Sequence, residues 1–291
     1  MNKHLFTVLL ILSCSHSTMA KTGLYDSLQK DRNKNFFLSA GVAYAGGMTF
    51  LGISWYRQQG LKSFQSFNDW PEWNQMDKAG HLFTAYHLTR GLKSGCNNAG
   101  GSKKDCLWKS AVFSFGALSS IEIFDGFSPA YGASVTDLAT NAAGTLLFVG
   151  QELKWGEQYF VPKFSFHGDR IAEQRPEVLG ASPLEQILKN YNGQTYWLSA
   201  DLDKFSEFPG WLNVSLGYGA NNMLFGREQK NTEAGLNAQR RIFVGLDIDL
   251  KDIPVKKSWV KKLFVAINMI RIPAPAIEFN SKGIRLHPVY F

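Results

Sequence analysis

Leu212-Asn213-Val214-Ser215-Leu216-Gly217-Tyr218 places a large apolar side chain at every second position. Ile242, Val244, Leu246, Ile248 and Leu250 repeat the pattern further on. Successive side chains of a strand point to opposite faces, so a period of two with one apolar face predicts half-buried strands. The alternation resumes over residues 263–270 and at Ile284 and Leu286, and the sequence closes on Val289-Tyr290-Phe291. A terminal aromatic on an alternating strand is a feature of outer-membrane barrels. About four or five strands, however, fall short of the roughly eight that one chain needs to close such a barrel. They predict a small antiparallel sheet packed on or beside helices.

Upstream of residue 155 the period changes. Residues 35–56 carry no charge, with Arg32 and Lys34 before them and Arg57 after. That length either spans a bilayer as a helix or packs as a tightly buried one. Gly41, Ala43, Ala45, Gly46 and Gly47 would let another helix approach closely. Asp69-Trp70-Pro71-Glu72 offers an N-cap, a first-turn proline and an acid three residues on, predicting a second helix to about residue 92. A third covers residues 107–125, whose uncharged core, 110–121, is too short to cross a bilayer alone. A fourth starts at the capping box Ser134-Val135-Thr136-Asp137 and runs to about residue 153. The pattern weakens over 155–166. Ser182-Pro183-Leu184-Glu185 then starts a short helix that Asn192-Gly193 ends. The expected architecture is α+β. An apolar bundle of about four helices occupies residues 21–154, and a short helix with a small antiparallel β-sheet occupies the mixed region 155–291.

With 45% hydrophobic and 19% charged residues in 291, the chain can bury a core and is not a disordered tail. Aromatics at 14% suit a membrane interface or a large apolar core. The net charge of +7 is spread without a Lys/Arg block, and no nucleic-acid-binding signature accompanies it. Attraction to anionic lipid or glycan follows more readily, and no nucleic-acid partner is expected. Lys3, the apolar run 5–12 and Thr18-Met19-Ala20 read as an export signal over residues 1–20. Cleavage after Ala20 would release a chain starting at Lys21. Ile11-Leu12-Ser13-Cys14 alternatively forms a lipoprotein box with Cys14 acylated as the first residue. One acyl chain anchors only marginally and would need help from apolar protein surface. Cys96 and Cys106 flank a glycine- and asparagine-containing loop. In an oxidising compartment they close a disulfide worth about 3 kcal/mol, the alternative being two free thiols. Neither has a second ligand at zinc-finger spacing.

Three polar pairs interrupt the apolar helices. Asp77 and His81 are four apart, Glu122 and Asp125 three apart, and Asp137 and Asn141 four apart, with Thr140 and Gly144 widening the last stripe. Ionised carboxylates are not buried alone, so these groups are expected to meet one another, water or a metal at one site. In one reading His81 and Glu122 exchange protons as base and acid on a bound substrate. Asp77, Lys78, Asp125, Asp137 and Asn141 then line and orient the pocket. In another, Asp77, His81, Glu122 and Asp137 hold a divalent cation; no other cofactor is implied. The plain alternatives are a surface acid beside Lys78 and a satisfied core histidine, a solvated helix end, and a capping residue. No zinc-protease pattern, nucleophile elbow or phosphate loop is present. Gly126-Phe127-Ser128-Pro129-Ala130-Tyr131-Gly132 lies between two of the pairs and either lines the site or makes a turn. A binder of a membrane lipid, an envelope glycan or an outer-membrane protein is one outcome. A hydrolase or transferase on a lipid-linked or phosphorylated envelope substrate is a second, and a structural subunit of an outer-membrane assembly a third.

Trp55-Tyr56, Phe67-Asn68-Asp69, Glu72-Trp73, Gln75-Met76-Asp77-Lys78-Ala79-Gly80-His81, Ile121-Glu122-Ile123-Phe124-Asp125-Gly126-Phe127-Ser128 and Asp137-Leu138-Ala139-Thr140-Asn141 resemble the YfiM-type family of predicted periplasmic lipoproteins. Lys163-Phe164-Ser165-Phe166-His167, Tyr191-Asn192-Gly193-Gln194-Thr195-Tyr196-Trp197-Leu198-Ser199 and Trp211-Leu212-Asn213 look like longer members, so the likeness covers most of the mature chain. A more distant resemblance is to VanZ-like membrane proteins, whose motif order falls here on Asp77, Lys78, His81, Glu122, Asp137 and Asn141, although the apolar spans are shorter. These resemblances imply an exported, periplasm-facing envelope protein, associated with the outer membrane, and supply no reaction.

Overall fold

The computed structural model describes residues 22–51, 60–129, 132–205 and 207–291, with side chains of the first stretch from 32 to 49. The export signal and Cys14 lie outside these residues. The described chain divides into a helical unit, residues 22–51, 60–69 and 84–154, and a sheet unit, Trp70–Phe83 and Trp155–Phe291.

The long helices are α1 (Thr22–Leu51), α2 (Met76–Asn98), α3 (Lys103–Gly126) and α4 (Val135–Lys154). In the helical unit Ala40, Ala85, Leu88, Leu92, Leu118 and Ile121 form one core, flanked by Phe36, Met48 and Phe113. Apolar residues at three- and four-residue spacing put one face of α1, α2 and α3 into that core. On α1, Leu38 and Val42 point outward, while Tyr44 Oη donates to the Ala117 carbonyl at 3.2 Å and hydrogen-bonds Ser120. Among the described residues no helix is long and apolar enough to cross a membrane, and the stretch 35–56 is described only as far as residue 51. The stretch lacks charge, but its Gly, Ala and Ser side chains add little apolar surface; its end, 52–59, lies outside the described residues.

Ser134 caps α4, its Oγ accepting from Asp137 N at 3.0 Å, and Ser102 caps α3 in the same way through Asp105 N. Asp69 does not cap α2. Its carboxylate instead accepts from Ser134 Oγ and Thr136 Oγ1, both at 2.7 Å, and so braces the start of α4. A disulfide between Cys96 and Cys106 joins the end of α2 to the start of α3. Gly101 lies against it, and a Cβ there would run into both sulfurs.

The sheet unit contains six strands, not four or five: β1 (Phe160–Phe166), β2 (Gln194–Asp201), β3 (Leu212–Asn221), β4 (Gln239–Ile248), β5 (Ala274–Asn280) and β6 (Gly283–Tyr290). They pair antiparallel in chain order as a single meander. The architecture is therefore α+β, as the change of period predicts. The first strand precedes the short helices α5 (Pro176–Leu179) and α6 (Pro183–Lys189). Ser182 Oγ accepts from Glu185 N, capping α6, and the Glu185 carboxylate accepts from Ala181 N, one residue ahead of the cap. After α7 (Glu228–Glu233), residues 263–270, expected as a strand, fall largely in the helix α8 (Ser258–Ile267). Lys261, Lys262 and the apolar residues around them there follow a helical period.

Candidate functional site

The residues singled out from the sequence divide between the units. Asp77, Lys78 and His81 belong to the sheet unit; Glu122, Asp125, Asp137 and Asn141 belong to the helical unit.

The first set depends on the turn that precedes it. Trp73, Asn74 and Gln75 have φ of 51°, 49° and 59°, a left-handed conformation that costs non-glycine residues about 1 kcal/mol or more each. The sheet unit holds them there. Trp73 N donates to the Gly226 carbonyl at 2.6 Å, Tyr218 Oη donates to the Asn74 carbonyl, and Arg240 donates to Gln75 Oε1 at 2.8 Å. Any side chain at Gly226 would crowd Glu72 and the Trp73 indole nitrogen, each 3.1 Å from where its Cβ would sit. Helix α2 then begins with Asp77 in its first turn, where the helix dipole favours a carboxylate.

Asp77 Oδ1 accepts from Tyr191 Oη at 2.7 Å, and Asp77 Oδ2 from Lys78 Nζ at 3.1 Å. His81 Nε2 lies 3.8 Å from the same Oδ1, one helical turn on. Lys78 and His81 are buried. Gly80 faces Tyr196, whose hydroxyl sits 3.0 Å from where a Cβ would be, so any larger residue would press on that ring's tip. Tyr196 donates to Gln194 Oε1 at 3.0 Å. Burial, and then the Asp77 charge, push the Tyr196 phenol far above its ordinary pKa, so it acts as a neutral donor. Met76, Phe83, Phe164, Tyr191, Tyr196, Ala220 and Met223 form the apolar core around these groups. The result is a carboxylate, an ammonium, an imidazole and two phenols in a largely dry setting. Such a set can donate to and accept from a polar ligand. Lys78 already balances the Asp77 charge.

The second set sits on α3 and α4, which pack on each other. Glu122 and Asp125 are buried on the last turns of α3, and Asp137 and Asn141 on the first turns of α4. Thr140 Oγ1 bonds back to the Thr136 and Asp137 carbonyls rather than extending the stripe. Residues 126–128 and 132–133 run beside 62–67: Lys62 N donates to Phe127 O, Gln65 N to Gly126 O and Phe67 N to Ala133 O. Gln65 Nε2 also reaches Ser128 O at 3.2 Å. These bonds brace residues 126–128 and 133; Ala130 and Tyr131 lie outside the described residues.

Three features carry no signal in the sequence. His87 is buried edge-on to Tyr86, their ring centroids 4.9 Å apart. A cleft of about 340 Å³ in the sheet unit is lined by His167, Asp169, Arg241, Glu278 and Arg285, none of them expected. Burial, and then Arg241, lower the His167 pKa, keeping it neutral. Asp201, Asp249 and Asp252 gather ligand atoms within 4.8 Å of one another, but Lys251 Nζ stands 3.1, 3.1 and 3.4 Å from them. Burial would lower that lysine's pKa, yet the three carboxylates outweigh it and raise it. An ammonium thus occupies the place a metal would take.

Residues 67–149 match the family described as "Predicted periplasmic lipoprotein (DUF2279)". The likeness to YfiM-type predicted periplasmic lipoproteins is therefore shown over that stretch. It contains both polar sets. The family description fits the cell envelope and the periplasm, and nothing in it supports the VanZ-like resemblance. No curated protein and no solved structure matches the chain.

Proposed function

We propose that this is an exported, outer-membrane-associated envelope protein whose buried polar helix residues bind a polar envelope component, a lipid head group or a glycan. One observation carries this reading. Within the family-matched stretch, Lys78, His81, Glu122, Asp125, Asp137 and Asn141 are all buried on helices. Charged and amide groups are costly in such a setting, and where they are retained they commonly mark a functional site. Membrane association draws on the apolar side chains that α1, α3 and α4 leave exposed, among them Leu38, Val42, Val112, Ile123, Phe124 and Leu146.

Two substitutions that keep a polar side chain test the binding role, with glycan fragments of peptidoglycan and short-chain phosphatidylethanolamine micelles as the probes. Asp137→Asn and His81→Asn should each weaken capture of one of these probes at least about tenfold, with melting temperatures near that of the parent chain. If both variants instead bind as the parent does and lose about 3–5 kcal/mol of stability, the groups are internal helix ties and the binding reading is wrong.

A further inference from the structure

A sheet in water turns its apolar side chains inward and its polar ones out. Here the order is reversed. The cross-strand register lines up Leu198, Leu216, Val244, Ile277 and Leu286 as one row across five strands, and every one of them is exposed. A second exposed row runs Ile242, Phe279, Ile284, continued by a half-buried Tyr218 that packs under Asn74, and a third pairs Val214 with Leu246. Exposure reaches 56% at Leu216 and 72% at Leu286. The opposite face carries the charges. Lys163 and Asp247 pair at 2.6 Å, both fully buried, and Arg241 pairs with Glu278, which also meets His287 at 2.7 Å. Arg271 lies over the Trp197 ring at 3.9 Å and donates to the Tyr290 and Leu246 carbonyls.

The sheet also curls around this polar interior. Tyr290 on the last strand hydrogen-bonds Thr195 on the second at 3.0 Å. The free edge of β1 is met by the segment before β5: Phe164 N donates to Met269 O and Arg271 N to Phe164 O. Aliphatic outside, ion pairs among a few aromatic rings inside and strand edges partly covered is the pattern of a sheet whose solvent on the outer face is lipid.

Charge complementarity says which lipid. At the end of the sheet where β2 joins β3 and β4 joins β5, the connections expose Phe205, Phe208, Trp211 and Trp259. In the second connection α8 exposes Trp259, Leu263, Val265 and Ile267, with exposed Lys256, Lys257, Lys261 and Lys262 on or beside it. Aromatic rings beside lysines form the interfacial belt of membrane proteins, and a basic amphipathic helix binds anionic head groups. We infer that the outer face of β2–β6, with α8 at its rim, seats against the acyl layer of an anionic phospholipid bilayer. This deepens the membrane association proposed above, and its failure would leave the polar helical site untouched.

Spin-label accessibility decides it, using the full chain with Cys14→Ser so that no acyl group contributes. Labels are placed through Val244→Cys and Ile277→Cys on the face, and Lys230→Cys on the exposed helix α7 as a control. On adding phosphatidylethanolamine and phosphatidylglycerol vesicles, the labels at 244 and 277 should lose collisions with a water-soluble nickel chelate and gain them with oxygen; the control should not change. Replacing Lys256, Lys257, Lys261 and Lys262 by Gln should cut partitioning onto these vesicles at least about tenfold. Two results would overturn the inference. The face labels stay accessible to nickel on vesicles, or they are already protected without lipid in proportion to protein concentration, which would make a second copy the cover.

Discussion

Lys163 shows how much a single side chain can hide. In the sequence it is one lysine in a run of aromatics; in the fold it is fully buried, 2.6 Å from Asp247 and donating to the Ile248 carbonyl at 2.8 Å. Asp247 accepts in addition from Ser199 Oγ at 2.6 Å. A buried pair need not add net stability, but a lone survivor of it is expensive. Lys163→Met should therefore lower the unfolding free energy by about 3–5 kcal/mol. Adding Asp247→Leu should recover most of that loss, since the charge left behind is then gone. Denaturant unfolding of the three chains measures both steps. A double variant no more stable than the single one would show that an uncompensated Asp247 charge is not the source of the loss.

Among the elements, the disulfide gives the sharpest forecast. It closes a short loop between α2 and α3, with Asn33 Oδ1 3.1 Å from Cys96 Sγ and Gly101 pressed against both sulfurs. Replacing both cysteines by serine should cost about 3 kcal/mol, because the unfolded chain regains the freedom of that loop. The loss should be seen in the oxidised protein and vanish when parent and variant are compared under reducing conditions. Legibility also varies by element. The Ser134 and Ser182 caps are readable because a cap is a contact three residues long. Asp69 offers the same signal and is drawn away by Ser134 and Thr136, 65 and 67 residues further on. Strands β3 and β4 are legible from their alternation. β1 is not, because Pro162 and the inward Lys163 break the pattern, and α8 reads as a strand because so short an apolar run fits both periods. The sense of the sheet is beyond reach: alternation shows that two faces differ without saying which one meets solvent. At the candidate site, the burial of His81 and Asp137 follows from apolar neighbours along the helix. The Tyr191 hydroxyl on Asp77 does not, since 114 residues separate them.

For the molecule as a whole, the question is what holds it at a membrane. In the proposed reading, attachment draws on exposed apolar surface, on lysines and on acylation of Cys14. One acyl chain binds only marginally and reversibly, and stable attachment takes a second signal. If the exposed apolar faces supply that signal, removing the acyl group weakens attachment without ending it. The parent chain should take up labelled palmitate in cells and sediment with the outer membrane. Cys14→Ser should lose the label entirely yet leave a clear fraction in the membrane pellet, and that fraction should shrink further in high salt, as a chain of net charge +7 on an anionic surface requires. Complete release of the unlabelled variant to the soluble periplasm would instead assign all of the anchoring to the acyl chain.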